Sequence, residues 1–305
     1  DQSASFTVTG TQDGLQIYGG FAGTETALSE RDLGAGYHTV LSGDIDQNDD
    51  LFAPQTDSDG NSNTPIQTDH ISGSNSYHVL VFDGGDEIGP NVAPNVTPAT
   101  VLDGVTVTGG QANSSSSDTQ GAGLYCDGYR SGNECSPQIR NATFAGNAAK
   151  SGGAIFNDGS SGGTSSPVIT NTVFTGNTAA VSGGAVVNDG RFGVSNPQIT
   201  NATFTGNASG NKGGAIYSLG RDGENNPQIT NTILWGNAAG FGGSEVDNVD
   251  ATPEYRHTLV QGLDLTGTGT GNLDGTTSAN NLLFVDAADP NGPDDIFGTA
   301  DDGLR

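Results

Sequence analysis

A repeat of 30 residues constrains this sequence more than any other feature. Four similar segments begin at Pro137, Pro167, Pro197 and Pro227, and they read PQIRNATFAGN, PVITNTVFTGN, PQITNATFTGN and PQITNTILWGN. Self-similarity at a fixed period of this size is typical of solenoids and other repeat arrays. A unit this short cannot bury its apolar side chains alone, so the repeats are expected to stack on one another.

Three apolar columns run through the repeats. Their members are Ile139, Ile169, Ile199 and Ile229 in the first, Phe144, Phe174, Phe204 and Leu234 in the second, and the GGAIF, GGAVV and GGAIY segments at 152–156, 183–187 and 213–217 in the third. Each apolar stretch is short and bounded by Gly, Asn or Pro, the pattern of strands separated by turns, and none has the 3.6-residue period of a helix. The sequence therefore predicts an all-β fold, a parallel β-helix with three faces and one strand per face in each coil of about 30 residues. A right-handed coil is expected, because parallel crossovers are overwhelmingly right-handed.

Two columns of asparagine follow the first and second strands. They comprise Asn141, Asn171, Asn201 and Asn231 after the first strand, and Asn147, Asn177, Asn207 and Asn237 after the second. Asn tolerates the left-handed backbone of a sharp corner, and stacked amides can form hydrogen bonds along the axis of the stack. Asn141, Asn201 and Asn207 also lie in Asn-x-Ser/Thr sequons, so N-glycosylation or sugar binding is the alternative. The periodicity favours structural corners.

The repeat pattern becomes looser on both sides of the regular part. Upstream, TVLDGVTVTGG at 100–110 and GAGLY at 121–125 follow the same pattern, whereas downstream Glu245 takes an apolar position in GGSEV. We expect one domain: residues 1–100 are irregular N-terminal coils with an acidic loop, 101–250 are regular repeats, and 251–305 are C-terminal coils with an acidic segment.

Three segments resemble known surface proteins. FTGNASGNKGGAIY at 204–217 resembles the repeat of chlamydial polymorphic outer-membrane proteins, whose units carry an F-x-x-N half and a G-G-A-I half. LQIYGGFAGTETALSERDL with HTVLSGDID is similar to the opening of large bacterial surface β-helix proteins, and NLLFVDAADPNGPDDIFGTADDGLR is similar to the segment before their C-terminal anchoring region. The resemblance implies a right-handed parallel β-helix at a cell surface. It says little about activity, because lyases, hydrolases, tailspikes and adhesins share this fold.

The charge of the chain excludes several classes of partner. The 305 residues include 9 Lys+Arg and 35 Asp+Glu, a formal net charge of -26. Binding to nucleic acid depends on Lys and Arg that neutralise phosphates, and binding to anionic membrane surfaces depends on the same residues. No apolar run approaches the roughly 18 residues of a membrane helix, so we expect no membrane insertion by this chain.

The two cysteines indicate the compartment. Cys126 and Cys135 bracket one short loop, and the chain has no other cysteine. This arrangement favours a local disulfide over two free thiols, and disulfides persist in oxidising compartments. An extracellular or cell-surface location is therefore expected.

Two acidic loops are candidate Ca²⁺ sites. In residues 44–63, carboxylate and amide side chains alternate around Gly60, as in the first half of a calcium loop, because Ca²⁺ takes about six to eight oxygen ligands. No Glu closes this loop as it would in an EF-hand, and a solvated acidic surface is the alternative. The candidate ligands are Asp44, Asp46, Asp57, Asp59, Asn61 and Asn63 in the first loop, and Asp289, Asn291, Asp294, Asp295, Asp301 and Asp302 in the second.

A small set of arginines offers a candidate ligand-binding site. Arg191 and Arg221 are 30 residues apart, and Arg130 lies in the equivalent loop two coils earlier. Stacked coils would bring Arg191 and Arg221 close enough to hold one carboxylate or sulfate together. The alternative is that each arginine pairs with a local carboxylate such as Asp189 or Asp222, in a weak surface ion pair.

No catalytic residue can be assigned from the sequence. Motifs of zinc proteases, serine hydrolases and P-loop enzymes are absent from it. The numerous acidic residues neither identify nor exclude the two carboxylates of a glycoside hydrolase.

The sequence thus favours a secreted or cell-surface β-helix, a structural or adhesive module whose partner is a polysaccharide or another surface protein. One alternative is a polysaccharide lyase or glycoside hydrolase of the same fold, which a groove lined by carboxylates, or by Arg and Ca²⁺, would favour. The other is a filament-forming extracellular solenoid that associates end to end, because terminal coils leave open strand edges unless they are capped.

Overall fold

The chain winds into stacked coils in which every strand pairs in parallel with strands of neighbouring coils. The computed structural model describes residues 1–34, 38–49, 71–85, 95–114, 118–262 and 269–276. Over these residues the strands form four sheets, and each regular coil contributes one strand to each sheet. The architecture is a parallel β-helix, as the repeat predicts.

We number the sheets in the order in which a regular coil passes through them. Sheet 1 contains Gln16–Tyr18, Val101–Asp103, Gln138–Arg140, Val168–Thr170, Gln198–Thr200, Gln228–Thr230 and Glu254–Arg256. Sheet 2 contains Thr39–Ser42, Val105–Thr108, Thr143–Ala145, Val173–Thr175, Thr203–Thr205, Ile233–Trp235, Leu259–Val260 and Leu273–Asp274. Sheet 3 contains Gln111–Ala112, Ala148–Ser151, Thr178–Ser182, Ala208–Ser209 and Ala238–Ala239. Sheet 4 contains Phe6–Thr9, Leu80–Asp83, Leu124–Asp127, Ile155–Asp158, Val186–Asp189, Ile216–Leu219 and Val246–Val249. Two short 3-10 helices, Gly10–Gln12 and Leu28–Glu30, lie near the N-terminus.

A regular coil has four strands where the sequence indicates three. The additional strand is that of sheet 3, for example Ala148–Ser151 between the second and third apolar segments. It consists mainly of small residues, so it lacks the apolar alternation by which strands are recognised in a sequence. The three-faced solenoid of the sequence analysis is therefore corrected to one with four sheets.

The core consists of the predicted apolar columns. Ile139, Ile169 and Ile199 are direct partners on adjacent strands of sheet 1 and are fully buried. In sheet 2 the ring of Phe174 stacks between those of Phe144 and Phe204, with centroid distances of 5.4 and 4.4 Å. Because parallel strands lie about 4.8 Å apart, identical side chains on successive coils come into van der Waals contact. Each buried side chain contributes about 1.5–3 kcal/mol by its removal from water.

The two asparagine columns have different roles at the corners. Asn141, Asn171, Asn201 and Asn231 each adopt a left-handed backbone, with φ between 49° and 54°. At the next corner the left-handed residue is a glycine, such as Gly146 with φ 59°, and Asn147 after it points into the interior. The second column therefore supplies buried amides rather than the left-handed corner residue itself.

Candidate functional site

The outer face of sheet 4 carries two columns of side chains in register. Along Leu124–Asp127, Leu124 and Cys126 are fully buried in the core, whereas Tyr125 and Asp127 alternate with them and point outward. The strand pairing repeats this alternation in the neighbouring coils. We call Asp83, Asp127, Asp158 and Asp189 the carboxylate column. The aromatic column beside it consists of Tyr125, Phe156 and Tyr217, with Val187 between the last two.

Two members of the carboxylate column are buried and held by hydrogen bonds, whereas Asp83 and Asp127 are half-buried. Asp158 is 8% exposed and Asp189 is 3% exposed. Tyr125 Oη donates to Asp158 Oδ2 at 2.9 Å, and the hydroxyl of Ser160 donates to Asp158 Oδ1 at 2.6 Å. Arg191 binds Asp189 through two nitrogens, with Nε–Oδ1 at 2.9 Å and Nη2–Oδ2 at 2.5 Å. These bonds hold both carboxylates in fixed orientations. The bidentate Arg191–Asp189 pair is the more restrictive of the two, because it fixes both carboxylate oxygens at once.

The electrostatics keep the aromatic column neutral. Burial, and next the charges of Asp158 and Asp127, raise the pKa of the Tyr125 hydroxyl far above its usual range. Burial and the charge of Asp247 raise the pKa of Tyr217. Both phenols therefore stay protonated and act as hydrogen-bond donors at neutral pH.

A histidine extends the aromatic column toward the N-terminal coils. The His78 ring stacks on Tyr125 at 5.7 Å, and Tyr125 lies 6.0 Å from Phe156. Burial lowers the pKa of His78, which favours the neutral imidazole at physiological pH. The neutral rings of His78, Tyr125, Phe156 and Tyr217 thus lie beside the carboxylate column.

The three predicted arginines do not form one clamp. Backbone hydrogen bonds from Gly190 to Leu219 and from Phe192 to Arg221 place Arg191 directly over Arg221. Arg191 is engaged by Asp189 in its own loop, which is the alternative that the sequence left open. Arg130 does not lie in the column of Arg191 and Arg221, but in the adjacent one, opposite Ser161 and Phe192. Its guanidinium lies 5.2 Å from the Tyr129 ring centroid.

Only two of the candidate Ca²⁺ ligands fall within the described residues. The Asp44 carboxylate accepts the backbone N–H groups of Asn48 and Asp49 at 3.2 and 3.1 Å, and that of Asp46 accepts Ser74 N–H at 3.0 Å. Over the described ranges no group of three or more His, Cys, Asp or Glu side chains is arranged to hold a metal ion. The remaining candidates, Asp57, Asp59, Asn61, Asn63, Asp289, Asn291, Asp294, Asp295, Asp301 and Asp302, lie outside the described residues.

The two cysteines stand at disulfide distance inside the solenoid. Their Sγ atoms are 2.05 Å apart and their Cα atoms 5.6 Å apart. In the next coil the strand pairing and backbone bonds put Asn157 opposite Cys126 and Ser165 opposite Cys135. The pair thus occupies two positions that the next coil fills with polar side chains.

Sequence reasoning missed two features of this surface and of the interior beneath it. Asn157 Nδ2 donates to Asn188 Oδ1 at 2.9 Å, and Asn188 Nδ2 donates to Ser218 Oγ at 3.2 Å, so a second ladder of buried polar side chains lies under sheet 4. The carboxylate column was also missed. A signal for it is present: an Asp-Gly pair ends this apolar segment in four adjacent coils, at 83–84, 127–128, 158–159 and 189–190.

Comparison with known families agrees with this geometry. The family model of the Chlamydia polymorphic membrane protein repeat matches residues 171–189 and 201–219. Two segments of the chain are thus similar to this repeat. Each segment begins at a left-handed corner asparagine, Asn171 or Asn201, and ends with the last residue of a sheet 4 strand. The resemblance seen in FTGNASGNKGGAIY is thereby confirmed.

The matched segments cover 38 of the 305 residues, so the comparison shows that these two segments are similar to a repeat of Chlamydia membrane proteins. In the same comparisons, no curated protein and no solved structure matches the chain. Among the residues that the structure describes, no helix has the length and apolar character needed to cross a membrane.

Proposed function

We infer that the chain is an extracellular, cell-surface structural and adhesive module, and that the outer face of sheet 4 binds a neutral polysaccharide. One observation carries this proposal: an aspartate repeats in strict register through four coils, and Tyr125, Phe156 and Tyr217 lie in the column beside it. Strands about 4.8 Å apart set the spacing of both columns along the solenoid axis. A linear polymer with repeated units is the kind of ligand that such a surface fits.

The chemistry of the columns suits sugars. The aromatic rings of Tyr125 and Tyr217 offer an apolar body with a polar tip, which can cover a sugar ring. The Tyr125 hydroxyl donates to Asp158, so toward a sugar it can act as an acceptor. Carboxylates accept hydrogen bonds from hydroxyl groups, and such charge-assisted bonds are stronger than neutral ones. Because the net charge is -26, an anionic polymer would be repelled, and a neutral one is favoured.

The surface location rests on two further observations. The matched repeat belongs to membrane proteins of Chlamydia, and Cys126 and Cys135 stand at disulfide distance, which suits an oxidising compartment. Ca²⁺ remains part of the proposal, through the loops at 44–63 and 289–302.

Binding to insoluble neutral polysaccharides tests the proposal. The purified chain is incubated with cellulose, chitin and starch, and the bound fraction is measured for the unmodified protein, for Tyr217→Ala and for Phe241→Ala. Phe241 is 73% exposed and lies outside the outer face of sheet 4, so it controls for the loss of an aromatic ring. We expect Tyr217→Ala to weaken binding at least tenfold and Phe241→Ala to leave it unchanged. Absence of binding to all three polymers, or equal loss in both variants, would contradict the proposal.

One observation favours a second candidate, a glycoside hydrolase. Asp127, Asp158 and Asp189 are direct partners on three adjacent strands. Strand spacing puts neighbouring residues of the column about 5 Å apart and alternate ones about 10 Å apart, close to the two carboxylate separations that retaining and inverting hydrolases use. Release of reducing sugar by the unmodified chain, abolished in Asp158→Asn, would establish the hydrolase. Binding without release would leave the adhesive module.

A further inference from the structure

A ladder of buried amides runs along the interior of the regular coils, and it has a direction. The asparagine ladder consists of Asn147, Asn177, Asn207 and Asn237, which are at most 6% exposed. Each Nδ2 donates to Oδ1 of the asparagine in the next coil, at 3.0, 2.9 and 2.8 Å. The backbone N–H of each donates to the same oxygen, at 3.1, 3.1 and 2.9 Å. All these donors point toward the C-terminal coils, so the last asparagine needs an acceptor from another source.

Glu245 supplies that acceptor. Its Oε1 accepts the backbone N–H of Asn237 at 3.2 Å, and its Oε2 accepts Asn237 Nδ2 at 2.5 Å. The asparagine of each ladder position comes three residues after a buried residue of sheet 2, as Asn237 follows Leu234. In the next coil Val260 pairs with Leu234, so residue 263 is the next ladder position. The sequence has Leu263 there, and a leucine side chain offers no hydrogen-bond acceptor.

Glu245 also departs from the repeat at its own position. Backbone hydrogen bonds from Ala185 to Ala215 and from Ala215 to Glu245 put these residues in one column, which Ala154 begins. Glu245 therefore takes the place of an alanine in the coil after which the sequence has no asparagine at the next ladder position. The long side chain reaches the place that an amide of a further coil would occupy.

The environment of Glu245 contains no counter-charge within the described residues. Glu245 is 4% exposed. Of the strands beside it, Ile216–Leu219 carries Tyr217 as its titratable residue and Val246–Val249 carries Asp247. Asp247 pairs with Lys212 at 3.7 Å. The described strands Ile233–Trp235, Ala238–Ala239 and Leu259–Val260 carry no ionisable side chain.

A cavity gives the carboxyl group access to protons. It measures about 540 Å³ and is lined by Asn237, residues 242–246, Gln261 and Gly262. Burial raises the pKa of Glu245 to about 7, although the hydrogen bonds from Asn237 act in the opposite direction. The group thus titrates near neutral pH in the folded chain, whereas its usual value is 4.5.

We propose that Glu245 is a pH-responsive cap of the asparagine ladder, which holds the C-terminal coils closed in mildly acidic surroundings and loosens them as the proton leaves. The direction follows from linkage. A carboxyl whose folded pKa is raised favours the folded state below its unfolded value of 4.5, and this contribution is lost as the pH rises through about 7. Neutral Glu245 still accepts hydrogen bonds from Asn237 without a buried charge.

Amide hydrogen exchange at pH 5 and pH 8, corrected for the intrinsic exchange rate, tests the proposal on the full chain. Protection of residues 233–249 is expected to fall at least tenfold more than protection of residues 143–158. Glu245→Gln cannot titrate and should abolish this difference. Glu224→Gln removes the same charge from an exposed carboxylate of a neighbouring coil, which accepts Asn196 Nδ2 at 2.9 Å, and should keep it.

Persistence of the difference in Glu245→Gln, or its loss in Glu224→Gln, would overturn the proposal. A ¹³C NMR titration of the Glu245 carboxyl in the unmodified chain decides the question even where the Gln variant does not fold. A midpoint near 7 supports the cap, and a midpoint near 4.5 overturns it.

Discussion

The regular coils and the N-terminal coils are held together in different ways. In the regular coils each stabilising device is a column: Phe174 stacks on Phe144 and Phe204, and Asn177 bonds to the asparagines before and after it. In the N-terminal coils the apolar columns continue through Ile17, Leu41 and Leu102, and the ion pair of one arginine adds to them. Arg31 pairs with Asp103 at 2.9 Å, with its side chain only 9% exposed.

Arg31 lies in the connection between the strands Gln16–Tyr18 and Thr39–Ser42, and it binds that connection to the solenoid. Its guanidinium lies 5.4 and 5.8 Å from the ring centroids of Tyr18 and Phe21, and its Nη1 donates to the carbonyl of Gly19 at 3.0 Å. We call these contacts of Arg31 the N-terminal clamp. Columns share their contacts between coils, whereas the N-terminal clamp joins only a few residues. The loss of one side chain should therefore destabilise several coils in the regular part but only the adjacent residues in the N-terminal part. The following substitutions test that contrast.

The largest effect is expected from Phe174→Ala. The substitution removes a fully buried ring from the middle of a stack, so the free energy of unfolding should fall by about 3–5 kcal/mol. Phe192→Ala, which removes a ring that is 58% exposed, is the control. Thermal or urea unfolding measures both. An unchanged midpoint for Phe174→Ala would mean that the columns do not carry the fold.

A smaller loss is expected from Asn177→Ala. It removes the acceptor of the Asn147 backbone N–H, at a cost of about 1–3 kcal/mol, whereas the Asn147 amide keeps the carbonyls of Val107 and Ala145 as acceptors. Asn171→Ala is the matched control, because Asn171 belongs to the exposed ladder at the corner. The control loses mainly its left-handed preference, about 1–2 kcal/mol. Equal destabilisation in urea would show that burial of the ladder is unimportant.

The N-terminal clamp should give a local effect. Arg31→Met should cost about 2 kcal/mol, below the usual range for breaking a buried pair, because Asp103 keeps Arg140 at 2.8 Å. Hydrogen exchange should accelerate in residues 16–18 and remain unchanged in residues 198–219. Faster exchange throughout both segments would remove the distinction between the two regions.

The same clamp has a pH dependence of opposite sign to that of Glu245. Although burial alone would raise it, hydrogen bonds from Asn141, Arg31 and Arg140 hold the pKa of Asp103 below its usual 3.8. Its contribution is therefore present above pH 3.8 and is lost as the pH falls through the lower folded value. Arg31→Met should lose less stability than the unmodified chain on acidification from pH 5 to pH 3, in thermal unfolding.

The smallest effect is expected from calcium removal, confined to the acidic segments. EDTA should lower the melting temperature, and Ca²⁺ should restore it better than NaCl at equal ionic strength, since an ion at a few-fold excess over its Kd stabilises the folded state by about 1 kcal/mol. Equal rescue by NaCl would assign the effect to screening and leave residues 44–63 and 289–302 as an acidic surface.

The sequence predicts most of the regular part, because periodic apolar residues report the core directly. Sheet 3 is not predicted, since Ala148 and its neighbours have little apolar character. Glu245 is recognised only as the end of the regular repeats. Its role depends on the direction of the asparagine ladder, which no spacing in the sequence reveals. The outer face of sheet 4 leaves a trace in the recurring Asp-Gly pairs, but only the register shows that Asp127, Asp158 and Asp189 lie side by side.

Removal of one complete coil tests the central claim most directly, namely that the repeated outer face of sheet 4 binds a linear polysaccharide. Deleting residues 167–196 joins Ser166 to Pro197 and preserves the Pro-Gln-Ile start of a coil. We expect the shortened chain to keep its β-sheet circular dichroism, to bind short oligosaccharides with unchanged affinity and to bind long ones more weakly, because the face becomes one coil shorter and the carboxylate column loses Asp189. Unchanged affinity of the folded, shortened chain for long oligosaccharides would contradict the claim.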